Sequence, residues 1–245
     1  MGPRRRGIAV MCAALLLVAG GCSRSETSPG TDPAATTGLP PPWAHDAVRF
    51  LGPAEELGEA QLLDAMSRRR SVRTLSGEPL SDRQLAALLW SAQGVSAPSG
   101  ARTAPSAGAL YPLETYVVTA QEVLRYVPAS ASVQLRADKQ ARGAVDQAIA
   151  GSPAAGAYAI VIITGVPARI VTKYADRGIR YMWMEAGHAA QNLLLAAAAM
   201  DLGAVPIGGF NEALIADALG LSSQEIPLYL IPVGFRTERT PLAGR

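Results

Sequence analysis

YMWMEAGHAAQNLLLAAAAM, residues 181–200, is the stretch that decides the fold. Small and apolar residues fill most of its positions, and it lacks the continuous polar face that a surface helix turns to solvent. A segment of this length without proline is typical of a helix several turns long. The sequence therefore predicts a long, buried central helix, Tyr181–Met200, surrounded by protein on all sides.

Shorter elements are predicted on both sides of this helix. Leu57–Arg69 has apolar residues at helical spacing, and Ser81 is a capping residue for a second helix, Asp82–Ala92. Three β-rich runs predict strands: Thr115–Thr119, Ala157–Thr164 and Leu228–Val233. The second run is continuously apolar, as in a buried central strand. The order of elements indicates an α+β fold with a small sheet flanked by helices.

The N-terminus has the features of an export signal. Arginines at 4–6 precede a short apolar run, Gly7–Ala19, which is too brief to span a bilayer stably. LVAGGC at 17–22 resembles a bacterial lipobox, which implies cleavage before Cys22 and lipid attachment to it. The alternative is an uncleaved helix with an incidental cysteine. Residues 23–42 are rich in Ser, Thr, Gly and Pro, the composition of a flexible tether.

These features predict the organisation of the whole chain. We expect a lipoprotein signal peptide at 1–21, a flexible tether at 22–44 and one folded domain at 45–245. The lipid on Cys22 would anchor the exported domain to the outer face of the bacterial cell membrane, or to the periplasmic side of a membrane. Removal of the three N-terminal arginines takes the formal charge from +2 to about −1. A nucleic-acid partner held by bulk charge is therefore not expected.

Composition excludes several kinds of chemistry. Of the 245 residues, 49% are hydrophobic and 17% charged, which is enough to bury a substantial core. Cys12 and Cys22 are the only cysteines, so the predicted domain has no thiol nucleophile and no cysteine-ligated zinc. His45 and His188 are the only histidines, and no HExxH or aspartate-rich calcium loop occurs. No metal site is predicted.

RRRSVR at 68–73 is the first candidate ligand site. It places four guanidinium groups and one hydroxyl within six residues, directly after a predicted helix. Arginine binds phosphate oxygens through two parallel hydrogen bonds, so the segment is a candidate phosphate clamp. The alternative is a solvated basic helix end that interacts favourably with the helix dipole.

Two segments of small residues are candidates for close contact with a flat ligand. They are TAPSAGALYP at 103–112 and PIGGF at 206–210. Small side chains let backbone N–H groups approach a planar ring. The first segment could equally be an ordinary loop. No GxGxxG opens a helix after a strand, so a Rossmann dinucleotide site is not predicted.

Four motifs in order resemble the nitroreductase family of FMN-dependent oxidoreductases, in particular the SagB-type branch, which includes azoline-oxidising dehydrogenases. They are RRSVR at 69–73, PSAGALYP at 105–112, EAGHAAQNL at 185–193 and PIGGF at 206–210. The resemblance covers about residues 60–236. It implies a nitroreductase-like fold with a mostly antiparallel sheet, and a homodimer with two composite FMN sites at its interface.

The resemblance also implies roles for individual residues. The FMN phosphate and ribityl chain would be held by the opening motif: Arg69, Arg70, Ser71 and Arg73. The partner subunit would contribute a second group: Pro105, Ser106, Ala107 and Gly108. The isoalloxazine ring would lie along a third: Ile207, Gly208 and Gly209. Arg236 would close the phosphate site, although relatives carry the arginine directly after the glycine and here Phe235 intervenes.

Two further motif residues are candidates for proton transfer. Lys173 and Tyr174 match a Lys-Tyr pair that is implicated in proton removal in the azoline-oxidising relatives, and the alternative is a scaffold pair common to the branch. His188 shares a helix face with Gln191 and Asn192. We expect it to be a hydrogen-bonded structural histidine at the dimer core rather than a catalytic one.

The function implied by the resemblance is that of an FMN-dependent oxidoreductase. It would pass electron pairs through FMN between a donor, NADH or NADPH in typical relatives, and a planar organic acceptor. Two alternatives stay open. One is a SagB-type dehydrogenase that oxidises a peptide or small molecule, and the other is a flavin-binding lipoprotein without turnover. No recognisable motif occurs at 121–156, so the substrate is not predicted.

Overall fold

Residues 48–50, 62–137, 141–150 and 156–237 are described by the structure, a computed structural model. They fall within one compact unit, Pro40–Arg245. The predicted signal peptide, tether and lipidation site at Cys22 lie outside the described residues, as does the first part of the predicted helix Leu57–Arg69. Within the described ranges, no helix combines the length and hydropathy needed to cross a membrane.

An antiparallel sheet forms the middle of the domain. Its eight described strands are β1 (Val48–Phe50), β2 (Leu75–Ser76), β3 (Leu113–Val118), β4 (Val123–Val127), β5 (Ser132–Ala137), β6 (Ala159–Gly165), β7 (Leu202–Ala204) and β8 (Ile226–Arg236). They lie in the order β1-β5-β4-β3-β6-β8-β2, and β7 pairs with β8 outside this path. All pairings between these strands are antiparallel, which confirms the predicted sheet.

Helices cover both faces of this sheet. The described helices are α1 (Leu62–Arg68), α2 (Asp82–Gln93), α3 (Ala141–Ala148), α4 (Ala168–Tyr174), α5 (Arg177–Ala199) and α6 (Glu212–Leu219). The predicted cap of α2 is confirmed, because the Ser81 side chain accepts a hydrogen bond from the Gln84 backbone and the Gln84 side chain accepts one from the Ser81 backbone. The predicted α+β class is also confirmed.

The central strand β6 is buried on both faces, which explains its continuously apolar sequence. Val161 and Ile163 belong to the core cluster that β6 shares with α2 and α5, whereas Ile160 and Ile162 belong to the cluster it shares with α3 and α6. Side chains alternate between the two faces of a strand, so both sets must be apolar.

The long helix α5 differs from its prediction at one end and along one side. It begins at Arg177 rather than Tyr181. Trp183 and Met184 are 46% and 53% exposed, so this chain alone does not surround the helix. An apolar helix side has the same sequence pattern whether its own chain or another surface covers it.

Candidate functional site

The segment that follows α1 runs beside β7. Ser71 forms a parallel bridge with Ala204, and the Val72 amide donates to the Ala204 carbonyl at 3.0 Å. A Cβ on Gly203 would lie 2.5 Å from Leu75 Cδ2 and 2.8 Å from Val72 Cγ1. Gly203 therefore lets this segment pack closely on β7, a requirement that the sequence analysis missed.

Arg236 is held at the same edge of the sheet. It lies at the end of β8, where it pairs with Leu75 of β2. Its Nε and Nη2 donate to the Leu202 carbonyl of β7, each at 3.4 Å. The structure thus brings Arg236 to the strands that border the predicted phosphate clamp.

The arginines at 68–73 divide into two kinds. Arg68 is ion-paired with Asp64 at 2.7 Å and donates to the Ala198 carbonyl, which ties α1 to α5. Arg70 donates to the Ser67 and Arg69 carbonyls, so it also serves the helix end, as in the alternative interpretation. Arg69 is half-buried and Arg73 is exposed just after the helix. These last two are therefore the better candidates for a phosphate group.

Gly208 and Gly209 present bare backbone beyond β7. Ile207 fixes the chain here, because its amide and carbonyl are hydrogen-bonded to Leu230 of β8 at 2.7 and 3.1 Å. Both glycines are exposed, neither has a positive φ, and a Cβ on either would meet nothing within 4 Å in the described part of the chain. Neither backbone strain nor packing within the described chain requires glycine, which leaves room for a ligand to approach closely.

The segment 105–112, which contains the predicted partner residues at 105–108, is coiled tightly. Ser106 Oγ accepts a hydrogen bond from the Tyr111 amide at 2.9 Å. Gly108 has φ +64°, and a Cβ on it would lie 2.9 Å from both Lys173 Nζ and Tyr174 Oη. The structure therefore places Gly108 directly against the predicted proton-transfer pair.

Lys173 and Tyr174 end α4 beside this segment. The Lys173 ammonium lies 5.6 Å from the centre of the Tyr174 ring. That ring packs edge-on against Tyr181 of α5, with 5.2 Å between ring centres. An amine and a phenol are thus held together next to a backbone that carries no side chain, which is an arrangement suited to exchanging a proton with a bound molecule.

Glu185 is a buried carboxyl behind the same segment. It is 2% exposed, and neither of its oxygens has a hydrogen-bond partner among the described residues. Burial raises its pKa to about 7, and the nearby Ser106 hydroxyl and the Arg102 charge oppose this shift. Sequence analysis identified Glu185 only as part of a motif.

His188 lies on the outer side of α5 in this chain. It is exposed, whereas Asn192, which the sequence placed on the same face, is half-buried and donates to the Thr103 carbonyl at 3.2 Å. Asn192 is therefore the residue of this face that anchors the 103–112 segment to α5. The predicted place of His188 at the dimer core concerns a second copy of the chain and stays a prediction.

The chain is similar to known proteins over most of its length. The model of the nitroreductase family matches residues 66–235. A nitroreductase-like protein from Methanocaldococcus jannaschii is 38% identical over 195 residues, which cover 75% of this chain and 95% of the relative.

Solved structures show the same fold. A nitroreductase-like protein from Ralstonia eutropha has a TM-score of 0.73 at 25% identity, covering 78% of this chain and 90% of that one. A second, from Anabaena variabilis, has a TM-score of 0.66 at 26% identity, covering 78% of this chain and 42% of that one. The fold, the ordered motifs and the family match lead to one conclusion: this chain belongs to the nitroreductase family.

Proposed function

We propose that the chain is an FMN-dependent oxidoreductase that transfers electron pairs between a donor and a planar organic acceptor. The observation that carries the proposal is the open backbone at Gly208 and Gly209, which follows the end of β7, while Arg236 is hydrogen-bonded to Leu202 at the start of that strand. This donor set fits FMN, because cationic groups suit its phosphate and bare backbone suits its flat ring. When bound, the flavin would supply reversible two-electron chemistry.

The chain's own residues would bind and orient this cofactor. Arg69, Arg73 and Arg236 provide guanidinium groups for the phosphate, and Ser71 provides a neutral donor beside β7. The Gly208 and Gly209 amides are fixed by the hydrogen bonds of Ile207, so they can face a ligand without reorganisation. NADH or NADPH is the donor that we propose, as in typical members of the family.

We further propose that the site is completed by a second copy of the chain. Large apolar side chains are exposed on α1 and α5: Leu62, Leu63, Met66, Trp183 and Met184. Exposed apolar residues on two packed helices favour coverage by another protein surface. In a homodimer the segment with Ser106 and Gly108 would reach the flavin of the partner, together with Lys173 and Tyr174.

Cofactor content and redox response test this proposal. The full-length chain, purified in detergent, should be yellow, release about one FMN per chain and sediment as a dimer of the 25.5 kDa chain. Anaerobic NADPH or NADH should bleach the flavin, and a nitroaromatic or quinone should restore its colour. A colourless chain that FMN cannot reconstitute would refute the proposal. A yellow chain that no donor or substrate reduces would support flavin binding without turnover.

A second candidate function rests on the contact of Gly108 with Lys173 and Tyr174. In a SagB-type dehydrogenase the substrate would lose a hydride, which bound FMN could accept, and a proton, which a base of the chain must take. Lys173 in its neutral amine form, or Tyr174 as a phenolate, could accept that proton, because both reach the small-residue segment where a flat substrate would stack. The substrate would then be an azoline in a peptide or a related small molecule.

Replacing Lys173 with alanine should distinguish the two candidate functions, reductase and dehydrogenase. Under the dehydrogenase proposal, Lys173→Ala lowers the turnover of a peptide azoline by about 10²–10⁴-fold, the usual contribution of a general base, and leaves flavin content unchanged. Under the reductase proposal, bleaching by NADPH is unaffected. Thr172→Ala, at the exposed neighbouring position of α4, is the matched control. Undiminished azoline turnover in Lys173→Ala would remove Lys173 from the mechanism.

A further inference from the structure

Four basic residues lie where α4 meets α5: Arg169, Lys173, Arg177 and Arg180. Asp176, between the two helices, is the only acidic residue of this stretch. Arg169 is already ion-paired with a carboxylate of β3. The other three basic residues are exposed, and none of them forms an ion pair within the described ranges. The corner between α4 and α5 therefore carries an excess of positive charge.

The connection between α4 and α5 is short and closely packed. Ala175 has φ +48°, in the left-handed region, and its amide donates to the Val171 carbonyl at 2.8 Å. A Cβ on Gly178 would lie 3.0 Å from the Ile170 carbonyl oxygen, so glycine at this position lets α5 begin close to α4. The last turn of α4 and the first turn of α5 are therefore held against each other.

Two tyrosine rings lie among these basic residues. The Tyr174 ring centre lies 5.6 Å from the Lys173 ammonium, and the ring packs edge-on against Tyr181. The Arg180 guanidinium lies 5.9 Å from the centre of the Tyr181 ring. Arg177 precedes Tyr181 by one helical turn and so lies on the same face of α5. Together these five residues form a cationic-aromatic surface.

The cationic-aromatic surface borders the segment of small residues. A Cβ on Gly108 would lie 2.9 Å from both Lys173 Nζ and Tyr174 Oη. Two successive ring contacts, at Tyr174 and Tyr181, then connect this point to Arg180. A planar molecule that stacks at Gly108 would therefore contact one end of the cationic-aromatic surface and extend along it.

Arg177 and Arg180 occupy positions that the helix itself disfavours. They lie among the first four residues of α5, where the helix dipole is positive and acidic residues are preferred. The first turn contains no acidic residue, and the side chain of Asp176, which precedes it, caps no backbone amide. Both arginines are exposed, so packing does not account for them. A bound negative charge would offset this unfavourable arrangement.

We propose that the cationic-aromatic surface selects planar acceptors that carry a negatively charged group, an aromatic carboxylate or sulfonate. The ring of the acceptor would stack at Gly108 beside Tyr174, and its anionic group would face Arg177 and Arg180. This inference rests on the proposed reductase function, which puts the flavin of a partner copy beside the same segment. A cluster of one charge raises the local concentration of oppositely charged molecules, so binding should weaken as salt rises.

Two acceptors of matched shape test this inference: 4-nitrobenzoate, which carries a carboxylate, and 4-nitrobenzamide, which is neutral. Calorimetric titration of the full-length, FMN-saturated protein in a neutral detergent measures their equilibrium binding without turnover. At low ionic strength, Kd should be about tenfold lower for the carboxylate, a difference that two exposed ion pairs can supply. The two Kd values should converge at about 1 M ionic strength, where the Debye length is only about 3 Å. Equal affinities at low ionic strength would overturn the inference.

Removal of the two arginine charges locates the preference. In the double variant Arg177→Gln/Arg180→Gln, Kd for 4-nitrobenzoate should rise to that of 4-nitrobenzamide, whose own Kd should not change. Tm of this variant should not fall, because both charges are disfavoured at a helix N-terminus. Arg83→Gln, which removes an exposed charge from the first turn of α2, is the matched control and should keep the preference. A double variant that also keeps the preference would overturn the inference, because the carboxylate would then bind elsewhere.

Failure of this inference is distinguishable from failure of the proposed function. A yellow protein that NADPH bleaches, but that binds the two nitro compounds with equal affinity, would overturn only the selectivity for anionic acceptors. A colourless protein that FMN cannot reconstitute would overturn both.

Discussion

Gly208→Val should abolish flavin binding and leave the fold intact. A Cβ at this position meets nothing within 4 Å in the described residues, and the backbone has no positive φ, so the chain itself can accept the side chain. A flat ring resting on this backbone would be displaced by the branched side chain. We expect Kd for FMN to rise at least 100-fold, equivalent to about 3 kcal/mol. Flavin content and fluorescence quenching on titration with FMN measure the effect.

Gly203→Val is the matched control for this prediction. Its side chain would collide with Leu75 and Val72, which pack the clamp segment on β7. We expect it to destabilise the fold by about 1–3 kcal/mol, so that Tm falls whether or not FMN is present. The two glycines thus have opposite expected signatures, ligand loss at Gly208 and stability loss at Gly203. A Gly208→Val protein that retains the FMN affinity of the unsubstituted chain would refute the proposed cofactor site.

The sequence predicted those elements whose burial or capping depends on only a few adjacent residues. The apolar run of β6 and the Ser81 cap of α2 are of this kind. The strands β4 and β5 and the helix α3 were not predicted, because they lie within residues 121–156, which contain no recognisable motif. Alternation of Val133 and Leu135 with polar neighbours was a usable strand signal for β5.

For the candidate site, the sequence predicted which residues to consider but not which contacts those residues make. Ordered motifs located the glycines and arginines, but they did not show that Arg70 serves the end of α1. The requirement for Gly203 and the isolation of Glu185 depend on residues distant in sequence, which only the folded chain brings together. The exposed side of α5 could not be predicted either, because hydropathy does not say which protein covers a surface.

The buried carboxyl of Glu185 should make the protein less stable as pH rises. Its ordinary pKa is 4.5, and burial raises the folded value to about 7. The folded state therefore binds more protons than the unfolded state between these values, so the contribution of Glu185 is fully present below pH 4.5 and is lost as pH rises through 7. A difference of this size corresponds to about 3 kcal/mol.

Glu185→Gln should remove this dependence, because an amide has the same shape and no charge to desolvate. We expect the unsubstituted and variant chains to be similarly stable at pH 4.5 and the variant to be about 3 kcal/mol more stable at pH 8, a Tm increase of roughly 6–12 °C. Tm of both chains is measured from pH 4.5 to 8. The difference between the two Tm values at each pH cancels the titration of the groups that both chains share. Glu78→Gln, at an exposed position, should show no such divergence. Parallel curves for Glu185→Gln and the unsubstituted chain would mean that Ser106 and Arg102 stabilise the ionised carboxylate enough to offset its burial.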